Sequence, residues 1–102
     1  MQEVQIKGII EEKLYITLSG DIDLGNAETF YQEVNTAYTA NPADIVFECD
    51  GLNFIDSTTL GTFVKILKAL KVDGRTMRLT GLQQKIKKLF VICALDSVIQ
   101  ID

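Results

Sequence analysis

The 102 residues contain no histidine. That absence excludes a histidine-dependent catalytic triad, a histidine metal ligand and a phosphohistidine relay within this chain. Proline occurs once and glycine seven times, too few for a collagen-like or low-complexity chain. The two cysteines, Cys49 and Cys93, lie far apart inside the apolar runs Ile45-Val46-Phe47-Glu48-Cys49 and Phe90-Val91-Ile92-Cys93. Both are read as small buried hydrophobes in a reducing compartment rather than as a disulfide. No apolar stretch approaches the roughly 18 residues of a membrane span, and the polar start Met1-Gln2-Glu3-Val4 does not resemble a signal peptide. These absences predict a cytoplasmic protein with no membrane insertion. There is also no glycine-rich phosphate cradle followed by lysine, and no nucleophile with a partner base.

What remains is an ordinary globular chain. A length of 102 residues and 11.4 kDa is one domain's worth, residues 1–102, large enough to bury roughly 60–70% of its unfolded surface. Hydrophobic residues at 47% and charged ones at 24% argue against disorder. The net charge of −4 hides an asymmetry. Residues 1–56 hold eleven acidic side chains against Lys7 and Lys13, a balance of −9; residues 57–102 hold eight basic ones against Asp73, Asp96 and Asp102, a balance of +5. Such a dipolar chain fits an electrostatically chosen protein partner better than nucleic acid, and it also fits plain solvated surface.

Hydrophobic periodicity gives the order of elements. Val4, Ile6 and Ile10, then Leu14, Ile16 and Leu18, predict a hairpin turning at Glu11-Glu12-Lys13, with a loop over Gly20-Asp21-Ile22-Asp23-Leu24-Gly25. Ala27, Phe30, Tyr31, Val34, Ala37 and Tyr38 recur at helical spacing, with Asn26 as cap and Asn41-Pro42 as terminator. Ile45-Val46-Phe47 predicts a central strand covered on both faces, followed by a turn at Asp50-Gly51-Leu52-Asn53. A second helix buries Leu60, Phe63, Val64, Leu67 and Leu70 and stops at Asp73-Gly74. Met77 and Leu79 mark a fourth strand; Leu82, Ile86, Leu89, Phe90 and Cys93 mark a third helix with Lys85, Lys87 and Lys88 outward; Val98–Ile101 closes as a strand. The reading is α/β: a single domain of order β-β-α-β-α-β-α-β with a mixed central sheet covered by helices.

Chemistry concentrates in two loops. Asp21, Asp23 and Asp56 could bind Mg²⁺ weakly or pair for acid–base work, which would make a small carboxylate-dependent enzyme or metal binder; polar loops capping a sheet is the plainer account. In Asp56-Ser57-Thr58-Thr59, Ser57 stands where the second helix begins. Its hydroxyl can cap that helix, or it can accept a phosphate that the exposed amides and the dipole's positive end would stabilise. Gly61 costs the helix roughly 1 kcal/mol against alanine, and needs either tight packing on the sheet or close approach of another backbone.

Leu18-Ser19-Gly20-Asp21-Ile22-Asp23 after a strand, followed by Phe54-Ile55-Asp56-Ser57-Thr58-Thr59-Leu60-Gly61, resembles the STAS family, specifically the bacterial anti-sigma factor antagonists. The resemblance covers nearly the whole chain. It implies that Ser57 is phosphorylated by a partner anti-sigma factor serine kinase, and that the unphosphorylated protein binds that kinase and frees a sigma factor. It implies a docking surface of Asp21, Asp23, Asp56, Thr58, Thr59 and Gly61. ATP and Mg²⁺ would belong to the kinase, and a serine phosphatase would reset the switch; this chain would be no enzyme, need no cofactor, bind no nucleic acid and be a monomer when free. Where Thr59 stands, the family's usual stretch has glycine. STAS modules also serve as non-phosphorylated scaffold subunits of stressosome-like or transport complexes, the alternative within the fold.

Overall fold

A computed structural model of the chain describes residues 3–102; Met1 and Gln2, read above as part of a polar N-terminus, lie outside the described residues. The strands and helices are β1 (Val4–Ile10), β2 (Lys13–Ile22), α1 (Ala27–Ala40), β3 (Asp44–Ile55), α2 (Ser57–Val72), β4 (Met77–Thr80), α3 (Gln84–Ile92) and β5 (Gln100–Ile101), with a 3-10 turn at Leu95–Ser97. The five strands form one sheet in the order β1-β2-β3-β4-β5. β1 and β2 are antiparallel, and the remaining pairs are parallel. The mixed sheet and the element order are those the periodicity predicts.

The hairpin turn is two residues long, and Glu11 and Glu12 both take positive φ (49° and 71°), as tight hairpin turns matching the strand twist require. Lys13 already belongs to β2. Consecutive strand order with right-handed crossovers places every helix on one face of the sheet. The aromatic core shows this directly. Phe30 of α1, Phe47 of β3, Phe63 of α2 and Phe90 of α3 form a chain of edge-on contacts with centroids 5.2–6.0 Å apart.

Among the described residues the opposite face is mostly polar and carries no helix, correcting the expectation that Ile45-Val46-Phe47 is covered on both faces. There Glu48 accepts from Lys7 Nζ at 2.9 Å and Thr17 Oγ1 at 3.2 Å, and Arg78 pairs with Asp102. Val46 is nevertheless buried on that side, between its register neighbours Tyr15 and Arg78.

Two strands run further than their hydrophobic patterns indicate. β2 continues through Asp21 to Ile22, so Asp21 is a strand residue rather than a loop residue. β3 continues through Asp50-Gly51-Leu52-Asn53, which is no turn. Its register against β2 shifts between Thr17 and Ser19 and again between Gly20 and Asp21. Each shift lodges one extra residue in β3 and bends it without ending the pairing. Gly51 suits this bulge, because a Cβ there would lie 3.1 Å from Ser19 Cβ.

α2 buries Thr59, Phe63, Ile66, Leu67 and Leu70. Leu60 and Val64, expected on that face, are only half-buried. The helix closes as predicted at Asp73-Gly74: Gly74 has φ +72°, and the Gly74 and Arg75 amides donate to the carbonyls of Lys71 and Leu70. Cys49 is buried but Cys93 is exposed at the end of α3. The closing strand is shortened to two residues; Ile99 is buried and Val98 is not.

Candidate functional site

β2 and β3 end side by side at their C-terminal edge, with Ile22 opposite Ile55. One strand runs on into the loop before α1 and the other into α2, so the two motifs singled out in the sequence become neighbours. Asp56 joins them. It is the N-cap of α2 in extended conformation, and its Oδ1 accepts from the Thr59 amide at 3.0 Å. Its Oδ2 accepts from the Leu24 amide at 2.9 Å, across to the other loop. The Thr59 amide bonded to Asp56 holds its carboxyl below the usual carboxylate range; partial desolvation opposes this, and the Leu24 amide and Thr59 hydroxyl reinforce it. Asp56 is therefore an ionised acceptor at neutral pH.

That assignment corrects the reading of Ser57 as a cap. Asp56 caps, and Ser57 is the first helical residue, exposed, with no hydrogen bond to its hydroxyl among the described residues. Thr58 is exposed beside it. Thr59 is not on the surface at all, being fully buried. Its Oγ1 donates to the Ile22 carbonyl at 2.5 Å and lies 3.1 Å from Asp56 Oδ1. A residue expected to meet a partner instead ties the end of β2 to the cap of α2. Gly61 falls in the second turn of α2 and is exposed, with nothing within 4 Å of where a Cβ would sit. Packing onto the sheet is thereby excluded as its reason.

The second loop is equally organised. Asp23 Oδ1 accepts from the Gly25 amide at 2.9 Å, and its carbonyl accepts from the Asn26 and Ala27 amides. Asn26 does not cap α1 with its side chain; it accepts from the Asp23 amide and donates to the Asp21 carbonyl. The loop is thus folded on itself and tethered to Asp56. Asp21 is exposed beside Phe54 in the β2–β3 register. Among the described residues no three His, Cys, Asp or Glu side chains gather where they could hold a metal ion, so Asp21, Asp23 and Asp56 do not form a metal centre.

Two further residues belong to this surface. Leu24 is 76% exposed and Phe54 48% exposed. Leu24 lies in a loop otherwise made of polar residues and glycine, and Phe54 breaks the alternation of β3; both signals stand in the sequence. No helix among the described residues is long and apolar enough to cross a membrane.

Comparison with known proteins gives the family of the chain. Residues 2–102 match the STAS domain family. The anti-sigma-B factor antagonist of Bacillus subtilis is 28% identical over 91 residues, covering 89% of this chain and 83% of that protein. Its namesake in Staphylococcus aureus is 24% identical over 100 residues, covering 97% and 93%. The structure of the Bacillus cell fate determinant SpoIIAA in its phosphorylated form superposes with a TM-score of 0.77 at 20% identity, covering 97% of this chain and 90% of that one. The chain belongs to the STAS domain family, alongside the anti-sigma factor antagonists just described.

Proposed function

We propose that this protein is an anti-sigma factor antagonist: unphosphorylated, it binds an anti-sigma factor serine kinase and releases the sigma factor, and phosphorylation of Ser57 ends that binding. The observation that carries the proposal is the state of Ser57. Asp56 has taken over the capping role, leaving an exposed hydroxyl at the start of a sixteen-residue helix with no hydrogen bond to break among the described residues. ATP, Mg²⁺ and the phosphotransfer chemistry belong to the kinase, and a serine phosphatase reverses the modification.

The site's electrostatics make such a modification a switch. A phosphate adds about −1.5 to −2 charges beside ionised Asp56, whose carboxylate is bonded to the loop that holds Asp23. The helix N-terminus returns only about 0.3–1 kcal/mol per nearby charge. The free protein keeps the phosphate in water and tolerates it. A docked partner would have to desolvate a dianion among carboxylates, at a cost of about 3–4 kcal/mol, which is a 10²–10³-fold loss of affinity. Thr58 and Gly61 offer a side with little to obstruct a partner backbone, while Asp21 and Asp23 supply charge for it to read.

Calorimetric titration with the organism's own purified kinase tests the proposal. Ser57→Ala should bind as wild type, and Ser57→Asp should bind at least about tenfold more weakly. Equal affinities would favour a constitutive STAS scaffold instead.

A further inference from the structure

Phe54 and Lys85 are left over when the Ser57 site has been accounted for. Phe54 is an aromatic ring 48% exposed to water, two residues before the Asp56 cap, although burying a Phe is among the most favourable contributions a side chain makes to folding. Lys85 is the second residue of α3, in a first turn that holds no acidic residue. A cation there opposes the helix dipole. Its ammonium has no carboxylate partner among the described residues. Each residue breaks a local rule, and the fold recovers nothing visible in return.

The two line the same cleft. Asn53, Phe54, Ile55, Lys85, Ile86 and Leu89 line an open cleft of about 200 Å³ between the end of β3 and the start of α3. Ile55 and Ile86 are buried and make an apolar floor. A hydrogen bond of 3.0 Å from Gln83 Nε2 to Asn53 Oδ1 ties the two elements together at this point, so the cleft is preformed. Drug-sized ligands need roughly 300–1,000 Å³, so this space suits a single side chain rather than a nucleotide or cofactor.

Asn53, Phe54 and Ile55 of the cleft run directly along the chain into Asp56 and Ser57. Phe54 stands beside Asp21 in the β2–β3 register, and Leu24, 76% exposed, is bonded through its amide to Asp56 on the other side. Ser57 therefore comes three residues after the exposed Phe54 and directly after Asp56, whose carboxylate is bonded to the loop before α1, while Lys85 of α3 lies across the cleft from Phe54. Desolvated aromatic anchors within a polar rim are the arrangement that dominates protein–protein affinity, and opposite charges at the two ends fix which way a partner lies.

We infer that the Phe54–Lys85 cleft is the second half of the docking surface, receiving one apolar side chain of the anti-sigma kinase with an adjacent Asp or Glu of that kinase facing Lys85. The inference rests on the function proposed above. It assigns Phe54 to an apolar anchor and Lys85 to orientation, and makes Ser57 the junction between an acidic half and a basic half.

The test is the affinity of the organism's purified anti-sigma kinase for Phe54→Ala, Lys85→Glu and the control Lys68→Glu, about 17 Å along α2 from Ser57 at 1.5 Å per residue. The dipole favours glutamate at position 85, so that variant folds. Should Phe54→Ala lower the melting temperature, Phe54→Gln replaces it. Phe54→Ala and Lys85→Glu should each weaken binding about tenfold or more, with Lys68→Glu within twofold of wild type. If both cleft variants bind as wild type while Ser57→Asp is weakened, the cleft is overturned and the switch stands. Loss in only one of the two overturns the pairing of apolar anchor with acid. If wild type itself does not bind the kinase, the proposed function falls and the cleft with it.

Discussion

Thr59 offers a sharp test of how the site is built. Replacing it with valine preserves shape and β-branching but removes the hydroxyl that donates to the Ile22 carbonyl at 2.5 Å. Both residues are fully buried, so no water replaces the lost donor. Leaving a buried acceptor unpaired costs roughly 1–3 kcal/mol, against about 5–15 kcal/mol for the whole domain. The melting temperature should fall about 4–8 °C per kcal/mol, and the urea midpoint by on the order of 1 M with unchanged slope. Thr59→Ser keeps the hydroxyl and loses one methyl, at about 1 kcal/mol. If threonine were there for its methyl group alone, valine would be harmless and serine the worse change; if it met a partner, valine would alter binding and leave stability alone. A Thr59→Val protein as stable as wild type would refute the hydrogen bond's role.

Other consequences are as direct. One cysteine, Cys93, should react with a thiol reagent in the native protein, whereas Cys49, its thiol pushed up to about 12 by burial and then by Asp50 and Glu48, should react only on unfolding; two rapid equivalents in the native state would contradict the packing of β3. Asp56 has a lowered folded pKa, so its contribution to stability is complete above the ordinary value of 3.8 and is lost as pH falls through the folded value. Melting curves of wild type and Asp56→Ala should therefore differ at pH 7 and converge at the acid end; a gap independent of pH would refute this. Replacing the positive-φ pair Glu11-Glu12 with Asn-Gly should raise stability by about 1 kcal/mol in urea titration, and no gain would mean the turn is not strained.

Much of the fold was legible because its signals are periodic. The 3.6-residue pattern located all three helices, and the parity of Leu14, Ile16 and Leu18 oriented β2 correctly. The misreadings share a cause. Gly20 and Gly51 look like breakers, yet in β2 and β3 they sit at register shifts, which pairing alone reveals. Asp56 and Ser57 are both good capping residues, and only the backbone settles which one is N-cap. Thr59 reads as polar surface because residue type does not announce a strand carbonyl 37 positions away in sequence. Cys93 follows an apolar run but emerges at the helix end, where the buried stripe has passed out of register. The two segments are legible from their acids and Ser57, and Leu24 and Phe54 stand out in the sequence as misplaced apolar residues; that Lys85 lies across a cleft from Phe54 is set by tertiary placement alone.

The most direct test of the central claim uses the kinase itself. The purified anti-sigma kinase is mixed with wild-type protein and with Ser57→Ala, ATP and Mg²⁺ are added, and both the complex and the intact mass are followed. The account predicts one phosphate on wild type, mapped by fragmentation to Ser57, with dissociation in step, and an unmodified Ser57→Ala that stays bound. Stoichiometric phosphate on Ser57→Ala, or a wild-type complex that survives full phosphorylation, would contradict it.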